Sequence, residues 1–317
     1  IEGSAVLSNN LGQLLFYTDG ITIYNKNHVV MVNGAGLMGH PSSTQSATIV
    51  PMPGNTNLFY VFTLDARGYP NGFRYSIVDM SLDSGNGAVT SAKNVLIYAP
   101  SNEKLAVVKK ANDIDYWIIT HSVSGDTFYT HSLTSAGLNM TPIITNIGYD
   151  NPSGDTDYVI GNMTFSPHGK KLAIVHAAQK VAQLFDFNNV TGQITNCITL
   201  IDNSALGFSA FLYSIEFSPN SEIIYVSQTY SENVAQFNLN APNIPSSQVN
   251  IPLTISNEID ALQLGPDNKI YIAHYNSYSL SVINNPNILG IGCNLQVQVV
   301  DLGGKKSQGG LPSFSQS

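Results

Sequence analysis

The sequence predicts an all-β fold, a β-propeller of four-stranded blades, on three observations. Short runs of alternating apolar and polar residues recur from one end of the chain to the other, bounded by Gly, Asn, Pro and Asp. A strand, Pro-led turn, strand signature repeats in the later half, and successive four-strand units start about 51 residues apart. Helical periodicity is almost absent.

The first unit is read from Ala5–Ser8, Leu14–Thr18 and Ile21–Tyr24, the second from Ala47–Val50, Leu58–Thr63 and Phe73–Asp79, and the third from Leu105–Val108 and Tyr116–Thr120. The fourth is complete on inspection, with Asn162–Ser166, Leu172–His176, Val181–Asp186 and Ile194–Leu200 supplying the four strands of one blade. Its turn, Phe165-Ser166-Pro167-His168-Gly169, returns as Phe217-Ser218-Pro219-Asn220-Ser221 and Leu264-Gly265-Pro266-Asp267-Asn268. Proline presets φ at such a turn, and the Asn, Asp and Gly residues there tolerate left-handed geometry. Blades therefore start near residues 5, 47, 105, 162, 214 and 261, and Gly310-Leu311-Pro312-Ser313-Phe314 resembles one more innermost strand. The expectation is a single domain over 1–317, seven-bladed in its complete form with the last blade incomplete in this chain, a six-bladed ring with a C-terminal tail being the alternative. Strands from both termini often complete one blade of a propeller, which removes an exposed edge.

Composition narrows the function. A net charge of −8 from 13 Lys+Arg and 21 Asp+Glu excludes a nucleic-acid binder built on a basic face. Charged residues make up 11% of the chain against roughly 25% in average globular domains, so the polar surface is one of Asn, Ser, Thr, Gly and Tyr. No run approaches the roughly 20 apolar residues of a membrane-spanning helix. Cys197 and Cys293 are far apart with no Cys-x-x-Cys, which leaves free thiols or one long-range bridge and argues against structural zinc. Ile rather than Met at position 1 reads as a processed form whose export signal precedes it.

Several segments together, Gly12 to Asn25, Ser43-Thr44-Gln45-Ser46-Ala47, Glu103-Lys104-Leu105, Asp115-Tyr116-Trp117, the Phe-Ser-Pro turns, Ile283 to Asn287 and Gly310-Leu311-Pro312, resemble the β-propeller region of gliding-motility-associated, type IX-secreted cell-surface proteins of Bacteroidota. The resemblance spans nearly the whole chain and rests on turns and strands rather than on catalytic residues. It implies an exported, cell-surface protein. The Phe-Ser-Pro turns also resemble repeats of lactonase-like and YVTN propellers.

Candidate sites follow from the repeat. Aligned second strands place Asp19, Asp65, His121, His176, Gln228 and His274 at strand exits toward one face, where they would ring a mouth of the central channel. Such a ring could hydrogen-bond a sugar or peptide, or ligate a transition metal, with His121 and His176 on neighbouring blades the closest pair. The plainer reading is that each side chain caps its own strand or loop. The loop from Asp150 to Asp157 gathers Asp150, Asp155 and Asp157, a set suited to calcium, though without the spacing of a twelve-residue calcium loop. Loop tyrosines, Tyr69, Tyr129, Tyr149, Tyr230, Tyr275 and Tyr278, offer contact area for a partner. Gly34-Ala35-Gly36-Leu37-Met38-Gly39 matches a dinucleotide pattern, but Pro41 rather than a helix follows it. No Gly-x-Ser-x-Gly elbow, phosphate-cradling loop or His-Glu-x-x-His helix is present.

The expected function is accordingly an exported binding or adhesion module without catalysis, its partner a glycan, surface polymer or protein and its neighbours other domains of a larger surface protein. The second expectation is a structural unit that self-assembles into a fibre. The third is a metal-dependent, lactonase-like propeller hydrolase that would lose activity on His121→Ala or His176→Ala.

Overall fold

In the computed structural model, residues 2–152, 159–203, 211–229, 233–253 and 258–314 are described. The innermost strands of six successive sheets, β1 (Ser4–Ser8), β5 (Ala47–Pro51), β10 (Leu105–Lys109), β15 (Met163–Phe165), β19 (Leu212–Phe217) and β23 (Ile259–Leu264), begin within two residues of the starts read from the repeat. Each is followed outward by antiparallel neighbours. The first sheet continues with β2 (Leu14–Thr18), β3 (Thr22–Asn25) and β4 (Val30–Ala35), and the second with β6 (Leu58–Leu64), β7 (Phe73–Asp79), β8 (Ala88–Val89) and β9 (Val95–Tyr98). The third adds β11 (Tyr116–His121), β12 (Gly125–Thr134), β13 (Gly137–Leu138) and β14 (Ile143–Asn151), and the fourth β16 (Lys171–His176), β17 (Val181–Asn188) and β18 (Gln193–Asp202). The fifth adds β20 (Ile223–Gln228), β21 (Asn233–Asn238) and β22 (Val249–Pro252), and the sixth β24 (Ile270–His274), β25 (Ser279–Ile283) and β26 (Leu295–Asp301). A parallel pair, Val32 with Ala88, joins the outer edges of the first two sheets.

The Pro-led turns act as expected. Gly169 N donates to Ser166 O at 2.7 Å, Ser221 N to Ser218 O at 2.8 Å and Asn268 N to Gly265 O at 3.0 Å. The fourth residue of each turn has positive φ, +64° at Gly169, +61° at Ser221 and +61° at Asn268, which re-aims the chain into the returning strand. In the first two turns the serine hydroxyl also accepts from the residue that opens that strand, Lys171 N at 3.1 Å and Ile223 N at 2.9 Å.

Apolar residues cement neighbouring sheets. Phe16, Ile23, Ala47 and Val61 pack the first against the second, and Phe62, Phe73, Val107 and Ile118 the second against the third. Trp117, Phe128, Phe165 and Phe185 join the third to the fourth, Ala173, Leu184, Phe217 and Phe237 the fourth to the fifth, and Tyr225, Val234, Ile259 and Ile272 the fifth to the sixth. Between the sixth sheet and the first runs the C-terminal segment. Gly309 O accepts from Ala261 N of β23 at 3.0 Å, and β27 (Pro312–Ser313) pairs parallel with β1, Ser4 opposite Pro312 and Ala5 opposite Ser313. The segment read as the start of a further blade thus adds a two-residue strand to the first sheet, inside β1, and closes the gap between β23 and β1. Gly310 is required there, because a Cβ on it would lie 1.3 Å from Glu2 O.

Cys197 and Cys293 are free thiols, which resolves the two sequence alternatives. Among the described residues no helix is long and apolar enough to cross a membrane.

Candidate active site

Most of the strand-exit residues are held by their own blades. Asp19 Oδ1 accepts from Ile21 N at 2.9 Å and Thr22 N at 2.7 Å, capping the β2–β3 turn. Asp65 accepts from Ala66 N at 2.9 Å and Asn71 N at 3.0 Å and so shapes the β6–β7 loop. His121 and His176, each 1% exposed, do meet, their rings 5.6 Å apart and edge to face. His121 Nδ1 donates to Ser122 O at 2.9 Å and its ring packs on Phe128 at 4.7 Å. Burial holds both imidazoles neutral: His121 is lowered to about 4, and His176 well below its ordinary value, where Lys104 and His121 add repulsion. His274 is fully buried with Nε2 2.7 Å from Ser281 Oγ, and Gln228 is half-buried at the end of β20. Of the expected polar ring, Asp19 and Asp65 are thus caps of their own loops, and His121, His176 and His274 are packed imidazoles.

Lining of the mouth begins one or two positions later. A cavity of about 330 Å³ opens there, and Arg67 follows Asp65 by two residues, Ala177 follows His176, Thr229 follows Gln228 and Tyr275 follows His274. The residues that enter the innermost strands supply the rest of its polar wall: Glu2 before β1, Tyr213 in β19, and Glu258 and Asp260 at β23. Ile160, Ala177, Ala178 and Phe211 form an apolar wall.

The electrostatics of this wall are unlike those of a solvated face. Burial raises the Glu2 carboxyl from 4.5 to about 7, with Glu103 adding repulsion. Burial likewise raises Asp260 from 3.8 to about 7, helped by Glu258 and Glu2. Tyr213 Oη donates to Glu2 Oε2 at 3.5 Å and Ser42 Oγ to Glu2 Oε1 at 3.2 Å. The Tyr213 phenol is itself held well above its ordinary value by burial and by the surrounding carboxylates, so it remains a hydrogen-bond donor.

A buried network forms the floor. Glu103 Oε2 accepts from Thr44 N and Thr44 Oγ1, both at 2.8 Å, while Oε1 accepts from Arg67 N at 3.0 Å. Lys104 Nζ donates to Val159 O at 2.8 Å, Ile160 O at 2.9 Å and Asn102 Oδ1 at 3.3 Å; burial lowers this ammonium to about 7, with Glu103 opposing. Gln45 spans two innermost strands, its Oε1 accepting from Leu105 N at 3.0 Å and Met163 N at 2.9 Å and its Nε2 donating to Met163 O at 3.0 Å. The Ser43 to Ala47 and Glu103 to Leu105 motifs are therefore the support of the mouth. Near the axis the open space shrinks to cavities of about 30 Å³, one of them lined by Gln45, Glu216 and Gln263. A further cavity of about 480 Å³, lined by Tyr98, Tyr129 and His131, is aromatic and contains no carboxylate.

For calcium, Asp150 is an exposed residue near the end of β14, and Asp155 and Asp157 lie outside the described residues. Tyr230 also lies outside them. Among the described residues no group of three or more His, Cys, Asp or Glu side chains is arranged to hold a metal ion.

No protein-family model matches the chain, and no curated protein matches it. Solved structures do. A putative 6-phosphogluconolactonase from Bacteroides uniformis is 13% identical with a TM-score of 0.50, over 88% of this chain and 76% of that one. The periplasmic gluconolactonase of Pseudomonas aeruginosa is 11% identical with a TM-score of 0.51, over 82% and 73% respectively. A Lactobacillus plantarum protein is 11% identical with a TM-score of 0.53, over 98% of both chains. At these identities the likeness establishes the β-propeller fold. It also corrects the expectation of an adhesion module or fibre unit without catalysis: two of these propellers are named as lactonases, neither as an adhesin, and the mouth concentrates acid–base groups instead of a neutral recognition surface.

Glu2, Arg67, Tyr213 and Asp260 went unnoticed in the sequence. The available signal was the position of Glu2, Glu258 and Asp260, scarce acidic residues placed at the entry of innermost strands rather than at the exit of second ones.

Proposed function

We propose that this chain is a propeller hydrolase that opens a small cyclic ester in the mouth cavity, which its first, second, fourth, fifth and sixth sheets line together. One observation carries the reading: two carboxyls, Glu2 and Asp260, are both held near 7 beside one cavity that also presents the Tyr213 hydroxyl. Groups with such values exchange protons near neutrality, and in a pair one member is ionised while the other keeps its proton. The ionised carboxylate takes a proton from water as the water oxygen bonds to the ester carbonyl carbon. Tyr213 and Arg67 are the donors available to the oxyanion that develops. The protonated carboxyl then gives its proton to the ring oxygen as the carbon–oxygen bond breaks, leaving a hydroxy acid. His121 and His176 are not the reacting groups in this scheme. The lactonase names among the similar propellers support the choice of a cyclic ester.

Export of the protein to the cell surface is part of the proposal, supported by the sequence resemblance to secreted surface propellers and by the periplasmic location in the name of the Pseudomonas aeruginosa neighbour.

The test is hydrolysis of glucono-δ-lactone by the purified chain, followed by acid release at constant pH. A bell-shaped profile centred near neutrality, and a loss of roughly 100-fold or more in Asp260→Asn, are expected for removal of a general base. Turnover no faster than the uncatalysed reaction, or an Asp260→Asn variant as active as the parent, overturns the reading.

A further inference from the structure

We infer that the mouth selects an uncharged, hydroxyl-rich ring and turns away its phosphorylated counterpart. Turnover of such a ring rests on the hydrolase reading above, while its selective binding does not. The polar wall sets three carboxyls, Glu2, Glu258 and Asp260, against one cation, Arg67, beside the hydroxyls of Tyr213 and Thr229. Asp260, 5% exposed, has an oxygen, Oδ2, with no hydrogen-bond partner. Acceptors of this kind need donors, which sugar hydroxyls supply. A phosphate ester at neutral pH brings negative charge, which Arg67 alone offsets against three carboxyls, so it meets net like charge at this wall. Lys104 does not add to that cation, because Val159 O, Ile160 O and Asn102 Oδ1 occupy its three donors. Imidazole charge is also absent, since burial lowers both His121 and His176. Opposite the acceptors, Phe211 and Ile160 offer an apolar surface to the face of a ring. The size agrees, because about 330 Å³ lies at the small end of ligand cavities, where a single sugar ring fits.

The experiment measures kcat/KM for glucono-δ-lactone and for its 6-phosphate, and in parallel the binding of glucose and glucose 6-phosphate by calorimetry. At least about a tenfold preference for the uncharged member of each pair is expected, narrowing in Glu258→Gln, which removes one negative charge from the wall. Equal or better use of the phosphorylated members overturns the inference. If neither lactone is turned over but glucose binds and glucose 6-phosphate does not, the hydrolase reading fails and the selectivity stands. If neither sugar binds and neither lactone reacts, both fall.

Discussion

Replacing Asp260 by Asn separates what the site does from what it costs. The side chain is 5% exposed, its carboxyl is raised from 3.8 to about 7, and Oδ2 has no hydrogen-bond partner, so an amide of the same shape replaces it without breaking a bond at that oxygen. At 1.36 kcal/mol per tenfold, the raised value means that ionising Asp260 costs the folded protein about 4 kcal/mol relative to the unfolded chain. Because the folded value lies above the unfolded one, the stability tied to the protonated form is complete below about pH 3.8. It drains away as pH rises and is gone above about pH 7. An amide at this position cannot ionise, so the variant escapes this loss. Urea denaturation at about pH 4 and about pH 9 is the assay: parent and Asp260→Asn should be similar in acid, and the variant more stable by up to about 4 kcal/mol in base. Lactone hydrolysis should meanwhile fall by roughly 100-fold or more, as expected when a general base is removed. A variant that is less stable at both pH values would show that Asp260 is an ordinary paired carboxylate. Burial would then not be the cause of its raised value.

Three further outcomes follow from the geometry. Gly310→Ala should unzip the closure between β23 and β1, since its Cβ would lie 1.3 Å from Glu2 O; a loss above about 3 kcal/mol in urea denaturation, with activity lost alongside, is expected. His121→Ala should cost roughly 2 to 4 kcal/mol by emptying the space between Phe128 and His176, yet change kcat/KM by less than about tenfold in the folded variant. Lys104→Met should destabilise by roughly 3 to 5 kcal/mol, seen as a lowered Tm, because Glu103 loses its buried neighbour and the carbonyls of Val159 and Ile160 lose their donor.

Much of the architecture was written in the chain. Period-two alternation marks strands wherever one face of a strand is buried and the other is not, and Leu14–Thr18, Phe73–Asp79 and the four strands of the fourth sheet emerge where that alternation and the Pro-led turns place them. One more period of the repeat pointed to a strand near residue 310, but its pairing with β1 of the first sheet was not in the pattern.

The residues of the mouth depended on something a linear pattern does not encode. At a strand exit, a shift of one or two positions decides whether a side chain caps its loop, as Asp65 does, or faces the cavity, as Arg67 does, and that turn of the backbone is set by loop hydrogen bonds. Glu2 and Asp260 are far apart along the chain and became neighbours only when residues 309–313 drew the first and sixth sheets together. Their proton affinities are likewise a product of the fold, since desolvation by the completed ring raises both. Local alternation and turn chemistry were thus sufficient for the blades, while ring closure, which buries charges remote in sequence beside one another, decided the chemistry of the site.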